Sequence, residues 1–300
     1  MRSPHRHVKT RLLAIALTLA TATDLHAQIR ASELGSFTQT IDGTKISMTY
    51  SRPRGRGRDT LFGSVKSVRW GEVWTPGANY ATTFEVNRPV TLDGHAVKAG
   101  TYSVWMVVRQ SGAWTMVLDP KVRVYHMSPP DSNATQIRFP VKTHDAPYLD
   151  VLTWSMPELR ANGGMLTMQW GRTRVDMNLD VEPSYALTMS RADADPYVGV
   201  WEYAEIDSGK AGPTHGFVID YENQTLKGRW HSDSSYFKHF ALVKIAPEWF
   251  ASGVYDDRGQ VYEVYKPELV LEFTRENGRA TSFLARDDQD KIVMKGKRVR

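Results

Sequence analysis

The sequence predicts an all-β protein, an antiparallel β-sandwich followed by a second antiparallel β-barrel. Three observations carry that prediction. Most segments alternate apolar and polar residues with a period of two and are rich in Val, Thr, Tyr, Phe and Trp, the pattern of half-buried strands. Turn pairs suited to positive φ angles, such as Asp42-Gly43, Asp93-Gly94 and Asn277-Gly278, separate those segments. No stretch carries a long helical period, and short strands at near-regular spacing point to sandwiches and barrels.

The N-terminus comes first. Met1 to Arg11 hold Arg2, Arg6, Lys9 and Arg11 and no acid, an apolar run follows from Leu12 to Ala20, and Leu25-His26-Ala27 precedes Gln28. A basic start, a short apolar centre and a small-residue end read as a secretory signal peptide over 1–27, with a general export route, since no twin-arginine pair is present. The apolar run is too short to span a bilayer, and no later stretch approaches that length. The expected location is periplasmic or secreted, with no transmembrane segment after cleavage. The chain has no cysteine, which removes disulfides, a lipid-anchored cysteine and a cysteine nucleophile together.

Charge follows from the same division. The chain has 38 basic and 33 acidic residues; residues 1–27 hold four of the former and only Asp24 of the latter, so the remaining 273 carry 34 against 32. That near balance gives no basic face, and nucleic acid is not an expected partner. The local exception is Arg52-Pro53-Arg54-Gly55-Arg56-Gly57-Arg58, read as a solvated, mobile connection.

Within residues 28–182, strands are expected at Lys45–Tyr50, Ala81–Val86, Thr101–Arg109, Ala113–Leu118, Leu149–Ser155, Met165–Trp170 and Arg172–Val181, with turns at Ser111-Gly112 and Asn162-Gly163-Gly164. Residues 183–196 break the rhythm and read as a linker with a short helix around Tyr185 to Met189. From 197 to 300, eight or nine strands in about a hundred residues, each closing on its neighbour, predict an up-and-down barrel. Asp256-Asp257 and Asp287-Asp288 fall in its turns and read as hairpin chemistry rather than as paired catalytic acids.

The densest chemistry lies between Tyr50 and Trp105. There Pro76-Gly77 reads as a turn pair with glycine in the left-handed position, and Asn79 as a cap on nearby backbone. Arg52 and Arg58 are placed to stack on Trp74 or Trp105, or to pair with Glu72 or Glu85. Two readings of this block stand: a turn network closing one end of the sandwich, and a concave site in which Trp faces and Arg or Asn donors hold a polar ligand, neutral or anionic. The candidate ligand-binding residues are Arg52, Arg58, Trp74, Asn79, Thr82 and Trp105.

Several of these residues fall in a pattern seen elsewhere. Tyr50-Ser51-Arg52-Pro53, Gly57-Arg58, Phe62-Gly63, Gly71-x-x-Trp74-x-x-Gly77-Ala78-Asn79-x-Ala81-Thr82-Thr83 and Ala99-Gly100-Thr101-Tyr102-Ser103 resemble the exported bacterial family DUF2911. Trp114 to Leu118 and Gly163-Gly164-Met165-Leu166-x-Met168-x-Trp170-Gly171-x-Thr173-x-Val175 are similar too, so the likeness covers about 36–181. It implies an exported β-sandwich and names no activity. The chain departs from the pattern at Pro76 and Tyr80, where members often carry a threonine and an acid. The later part resembles the lipocalin-like barrels appended to exported serine hydrolases. There Gly199-x-Trp201 on the first strand and Arg298 on the last match the calycin pattern, which implies an arginine packed across the tryptophan at the barrel floor.

Catalytic patterns are sparse. The chain has no Gly-x-Ser-x-Gly elbow and no glycine-rich phosphate loop between strand and helix. Ser235-x-x-Lys238 has the spacing of penicillin-binding enzymes but sits in a strand-like stretch without the companion motifs. His95, His126, His144, His215, His231 and His239 show no metal-ligand spacing, although His144-Asp145 and His231-x-Asp233 are adjacent pairs; no metal, cofactor or catalytic residue is expected. The leading expectation is an exported non-catalytic protein that binds a small molecule or glycan. Its alternatives are a hydrolase with residues such as Arg58, His144, Asp145 and Asn79 gathered in space, and an envelope assembly protein pairing through an open sheet edge. The pattern leaves oligomeric state open.

Overall fold

A computed structural model describes residues 29–58, 60–231 and 238–300. The signal-peptide reading, Ser235 and Asp233 lie outside the described residues. Residues Ser32–Arg300 form one compact unit.

Eleven strands build the first part of that unit: β1 (Glu33–Ile41), β2 (Thr44–Arg52), β3 (Val73–Trp74), β4 (Thr83–Val86), β5 (Val90–Leu92), β6 (His95–Val97), β7 (Gly100–Val107), β8 (Trp114–Asp119), β9 (Ile137–Val141), β10 (Thr143–Arg160) and β11 (Gly163–Val181). One sheet runs β1-β2-β4-β7-β8-β9, with β3 pairing β7; the other runs β10-β11-β5-β6. All pairings are antiparallel. Their inner faces bury Ile46, Met48, Phe84, Val104, Leu152, Trp154, Met168 and Val175, so the alternation read in the sequence becomes one shared core. β1 leaves an open edge with no proline, lysine or arginine along its nine residues.

The hairpin signals work as their chemistry demands. Asp42 and Gly43 take φ of 43° and 74° between Ile41 and Thr44, and Asp93 and Gly94 take 45° and 78° between Leu92 and His95. The β10–β11 turn differs from expectation. It is made by Ala161 and Asn162, because Gly163 already pairs with Arg160. The two strands expected at Met165–Trp170 and Arg172–Val181 are one strand, bent at Gly171, whose φ of 60° opposes it to Leu149 beside a register shift.

The arginine-glycine loop is not a free connection. Arg54 forms a β-bridge to Val151, the Gly55 N–H donates to the Asp150 carbonyl at 2.7 Å, and the Leu152 N–H donates to the Pro53 carbonyl at 2.9 Å. Backbone pairing therefore carries the chain from the end of β2 along the edge of β10, the outer strand of its sheet.

Eight further strands form a closed antiparallel barrel in chain order: β12 (Gly199–Asp207), β13 (Lys210–Glu222), β14 (Thr225–Trp230), β15 (His239–Ala246), β16 (Trp249–Tyr255), β17 (Val261–Glu276), β18 (Arg279–Arg286) and β19 (Ile292–Arg298). The longest barrel strand, β17, is continuous through an irregularity. Residues 266–269 bulge between the pairs Ser252–Tyr265 and Ala251–Val270. Asp256 and Asp287 each accept two backbone N–H bonds inside their turns.

Rings fill the barrel. Trp201 is fully buried, with Phe217, Phe273 and Phe283 at centroid distances of 6.4, 5.3 and 5.8 Å. The Arg298 guanidinium lies 4.7 Å from the Trp201 ring centroid and donates to the carbonyls of Pro196, Val198 and Ala280. Gly199 makes that approach possible, since a Cβ there would meet Arg298 Nη1 at 2.3 Å and the Arg300 carbonyl at 2.4 Å. The arginine-over-tryptophan floor thus depends on the glycine of the Gly-x-Trp pattern.

The segment between the sheets and the barrel is packed rather than loose. Asp42 accepts the Ser184 N–H, Tyr185 and Leu187 cover Ala241, Val243 and Val261 on the outer barrel wall, and the Tyr221 hydroxyl donates to the Met189 carbonyl. The short helix is α1 (Arg191–Ala194), not Tyr185–Met189. Ser190 caps it by accepting the Asp193 N–H at 3.1 Å, while the side chains upstream are drawn to the barrel wall.

Two histidines give the fold a pH dependence. Burial, outweighing the opposing Glu72 charge, holds His126 below the ordinary imidazole value; burial, then Lys227 and Arg229, do the same for His239. The unfolded chain accepts protons there that the folded chain resists. Their contribution is complete above the ordinary value of 6.5 and is lost as pH falls below it towards the depressed folded values. We expect the melting temperature to fall between about pH 7.5 and 5.5, the range over which histidine titrates. Thermal melts of His126→Gln and His239→Gln should each show a smaller fall, and an unchanged fall in both would refute the assignment.

Candidate functional site

The loop after β2 and the bend in β11 meet at a surface depression of about 260 Å3. Arg58, Thr60, Leu61, Phe62 and Trp70 reach it from the loop side, and Tyr148, Trp170, Gly171, Arg172 and Thr173 from β10 and β11. Trp70 and Tyr148 are the open walls, at 40% and 51% exposure, while Trp170 and Phe62 form a buried floor at 3% and 7%.

The floor is rigid. Trp170 stacks on Trp74 at 6.0 Å and meets Phe62 edge-on at 5.9 Å, and its indole N–H donates to the Asp150 carbonyl at 3.2 Å. Arg58 lies over the Trp170 ring, its guanidinium carbon 5.5 Å from the centroid. Three backbone carbonyls hold that guanidinium: Gly55 at 2.9 Å, Lys66 at 2.9 Å and Arg54 at 2.7 Å. The walls stand on glycines, because a Cβ on Gly63 would lie 2.2 Å from the Trp70 indole nitrogen and one on Gly55 would lie 2.5 Å from the Tyr148 hydroxyl. Across the depression, Arg172 donates through Nε and Nη2 to both oxygens of Asp145, at 3.0 and 2.8 Å. That two-point bond holds the Asp145 carboxyl below the usual carboxylate range. The arrangement offers flat apolar surface, hydroxyls and guanidinium N–H groups around a ring-sized space.

Gly57-Arg58, Phe62-Gly63 and Trp170-Gly171-x-Thr173, three stretches of the sequence pattern, converge here from about a hundred residues apart. Residues 32–179 match the family model described as protein of unknown function (DUF2911). This part of the chain is a DUF2911 domain. No curated protein and no solved structure matches the chain.

The six expected ligand residues do not gather in one place in the DUF2911 domain. Arg58 lines the depression, and Trp74 lies beneath it against Trp170. Trp105 faces the other way. Along β7, Val104 and Met106 enter the sandwich core, while Trp105 joins Ala81, Val117 and Val124 in a cluster on the outer face. Its indole N–H donates to the Ser103 hydroxyl at 2.9 Å. Arg52 bridges the sheets, donating to the Leu152 carbonyl and the Thr153 hydroxyl at 3.3 and 3.0 Å. Neither arginine stacks on Trp74 or Trp105 or pairs with Glu72 or Glu85; backbone carbonyls outcompete them.

Thr82 is fully buried and donates to the Pro76 carbonyl at 2.8 Å, the same oxygen that accepts the Trp154 indole N–H at 3.0 Å. The left-handed residue of this turn is Asn79, at φ 62°, not Gly77. Gly77 is required for closeness instead, because a Cβ there would lie 2.5 Å from the Thr82 hydroxyl. Asn79 reaches distant chain rather than its own turn, donating to the Ser32 carbonyl at 3.2 Å and the Ser51 hydroxyl at 3.0 Å. Arg52, Asn79, Thr82 and Trp105 therefore serve the internal network.

The residues weighed for a hydrolase take separate partners. His144 contacts Asp176 at 3.2 Å, and Asp176 also accepts from Arg174 and Thr167, whereas Asp145 belongs to Arg172. Among the described residues no three His, Asp or Glu side chains group as metal ligands, and no helix is long and apolar enough to cross a membrane.

Sequence reasoning missed Trp70, Tyr148, Trp170 and Arg172 as site residues. A usable signal existed for two of them. Trp70 sits in a polar, glycine-flanked loop, where a large aromatic has no core to fill, and Trp170-Gly171 breaks a strand.

Proposed function

We propose that this protein is an exported, non-catalytic binding protein of the cell envelope. It takes a small polar molecule of the sugar class, free or at the end of a glycan, in the depression walled by Trp70 and Tyr148. The observation that carries this reading is the pairing of two exposed aromatic walls with fixed guanidinium groups. Sugar rings present apolar C–H faces to aromatic side chains and hydroxyls to donors, and small-ligand sites combine apolar walls with a few placed polar groups in this way. The rings that pack the barrel support placing the ligand in the DUF2911 domain. The export reading rests on the basic, apolar and small-residue order of residues 1–27.

Isothermal titration of the purified protein against a panel of mono- and oligosaccharides tests this. We expect saturable binding that Trp70→Ala weakens at least about tenfold, equivalent to ~1.4 kcal/mol. A panel with no binder, or binding that Trp70→Ala leaves intact, would overturn the reading.

A further inference from the structure

We propose that the ligand of this depression is a single ring of pyranose size bearing one anionic group, and that Arg58 receives that group. The inference rests on the reading of the depression as a small-ligand site and adds the charge of what it takes.

The argument starts from how Arg58 is held. A guanidinium has five N–H groups and one positive charge. Three neutral carbonyls, from Gly55, Lys66 and Arg54, take one N–H each from Nε, Nη1 and Nη2. Neutral acceptors satisfy hydrogen bonds without cancelling charge. Two N–H groups remain, one on each terminal nitrogen, the number a carboxylate or phosphate uses in a two-point contact. Among the described residues no carboxylate lies within ion-pair distance of Arg58, whereas Arg160, Arg172, Arg174, Arg275 and Arg286 all have acidic partners.

Position reinforces charge. The Arg58 guanidinium rests over Trp170, whose ring is fixed by Trp74 and by the Asp150 carbonyl. A cation held in place before binding loses little freedom when its ligand arrives. Arg54 and Lys66 lie in the same loop system and add positive potential. Among the described residues, Asp145 is paired with Arg172, and Asp150 is held by the neutral Arg56 N–H and Tyr148 hydroxyl, which fix its position and leave its charge in place.

The two arginines of the depression therefore differ in what they offer. Arg172 is neutralised by Asp145 and keeps its Nη1 donors for uncharged oxygens. Arg58 keeps its full charge. Trp70 and Tyr148 supply flat faces, and Thr60 and Thr173 supply hydroxyls. A volume of about 260 Å3 falls just below the usual range of drug-sized pockets, about 300–1,000 Å3, so it suits one ring rather than a chain of them.

The test uses the full chain, titrated calorimetrically with glucose, glucuronate and glucose 6-phosphate, and with galactose, galacturonate and galactose 6-phosphate, at low and raised sodium chloride. We expect at least one acidic form to bind about tenfold or more tightly than its neutral parent, with affinity falling as salt rises. Comparing the carboxylate and phosphate arms decides which anion is taken. Arg58→Gln should remove the preference for the acidic form, and Trp70→Ala should weaken acidic and neutral rings alike. Arg58→Gln also releases the loop carbonyls, so the wild-type salt dependence and acid-to-neutral ratio stand as the decisive readouts. Equal, salt-independent binding of acidic and neutral sugars would overturn the anionic inference and leave the sugar reading in place. Failure of every sugar to bind would overturn both.

Discussion

Replacing Trp201 with alanine is expected to destabilise the protein by about 3–5 kcal/mol, the range for deleting a large, fully buried aromatic side chain. Trp201 has no exposed surface and sits among Phe217, Phe273 and Phe283. Its indole N–H donates to the Tyr197 carbonyl at 3.1 Å, and its ring carries Arg298. The substitution leaves a cavity at the floor of the barrel, a carbonyl without its donor and a guanidinium without its aromatic face. Trp201→Phe keeps most of the volume but loses the N–H and part of the cation–π contact, so it should cost less. Urea unfolding followed by circular dichroism reads both variants. A loss below about 1 kcal/mol for Trp201→Ala, the level of an ordinary surface change, would show that the ring cluster does not depend on its central member.

Thr75→Val is the second large effect, and it acts in the sandwich. Thr75 is fully buried; its hydroxyl donates to the Val104 carbonyl at 2.8 Å and accepts the Thr82 N–H at 2.9 Å. Valine has nearly the same shape and neither function. Two buried backbone groups then lose their partners, at about 1–3 kcal/mol each. The loss also loosens the turn that carries Asn79 and the Pro76 carbonyl shared by Thr82 and Trp154. Thr75→Ser retains the hydroxyl and should recover most of the stability. Equal melting temperatures for Thr75→Val and wild type would mean that other contacts hold this turn.

The sandwich and the barrel were legible because their signals are local. Period-two alternation decides which face of a strand is buried, and Asp-Gly and Asn-Gly pairs decide where it reverses. The Gly-x-Trp pattern and a terminal arginine pointed to the barrel floor because each residue has one job there. The short helix was misplaced by local reasoning. Tyr185 and Leu187 look helix-compatible in isolation, but both side chains pack against Ala241, Val243 and Val261 on the barrel wall. The Arg52–Arg58 loop was misread for a similar reason, since its backbone partners lie in β10, about a hundred residues away.

The candidate site shows the division most clearly. The sequence by itself determined an all-β chain and its turns, and it marked a block dense in Trp, Arg, Asn and Thr. It did not determine which of them share a surface. Trp74 and Trp105 fall on opposite faces of one sheet because β3 and β7 pair as Val73–Val107 and Trp74–Met106, a register set by contacts across the chain. Arg58 reaches Trp170, and shares a depression with Arg172, only because backbone hydrogen bonds seat the loop on the edge of β10 and Gly171 bends β11. Strand alternation is encoded between neighbours. The meeting of residues 58, 70, 148 and 172 is set by long-range pairing and packing, which no local pattern records.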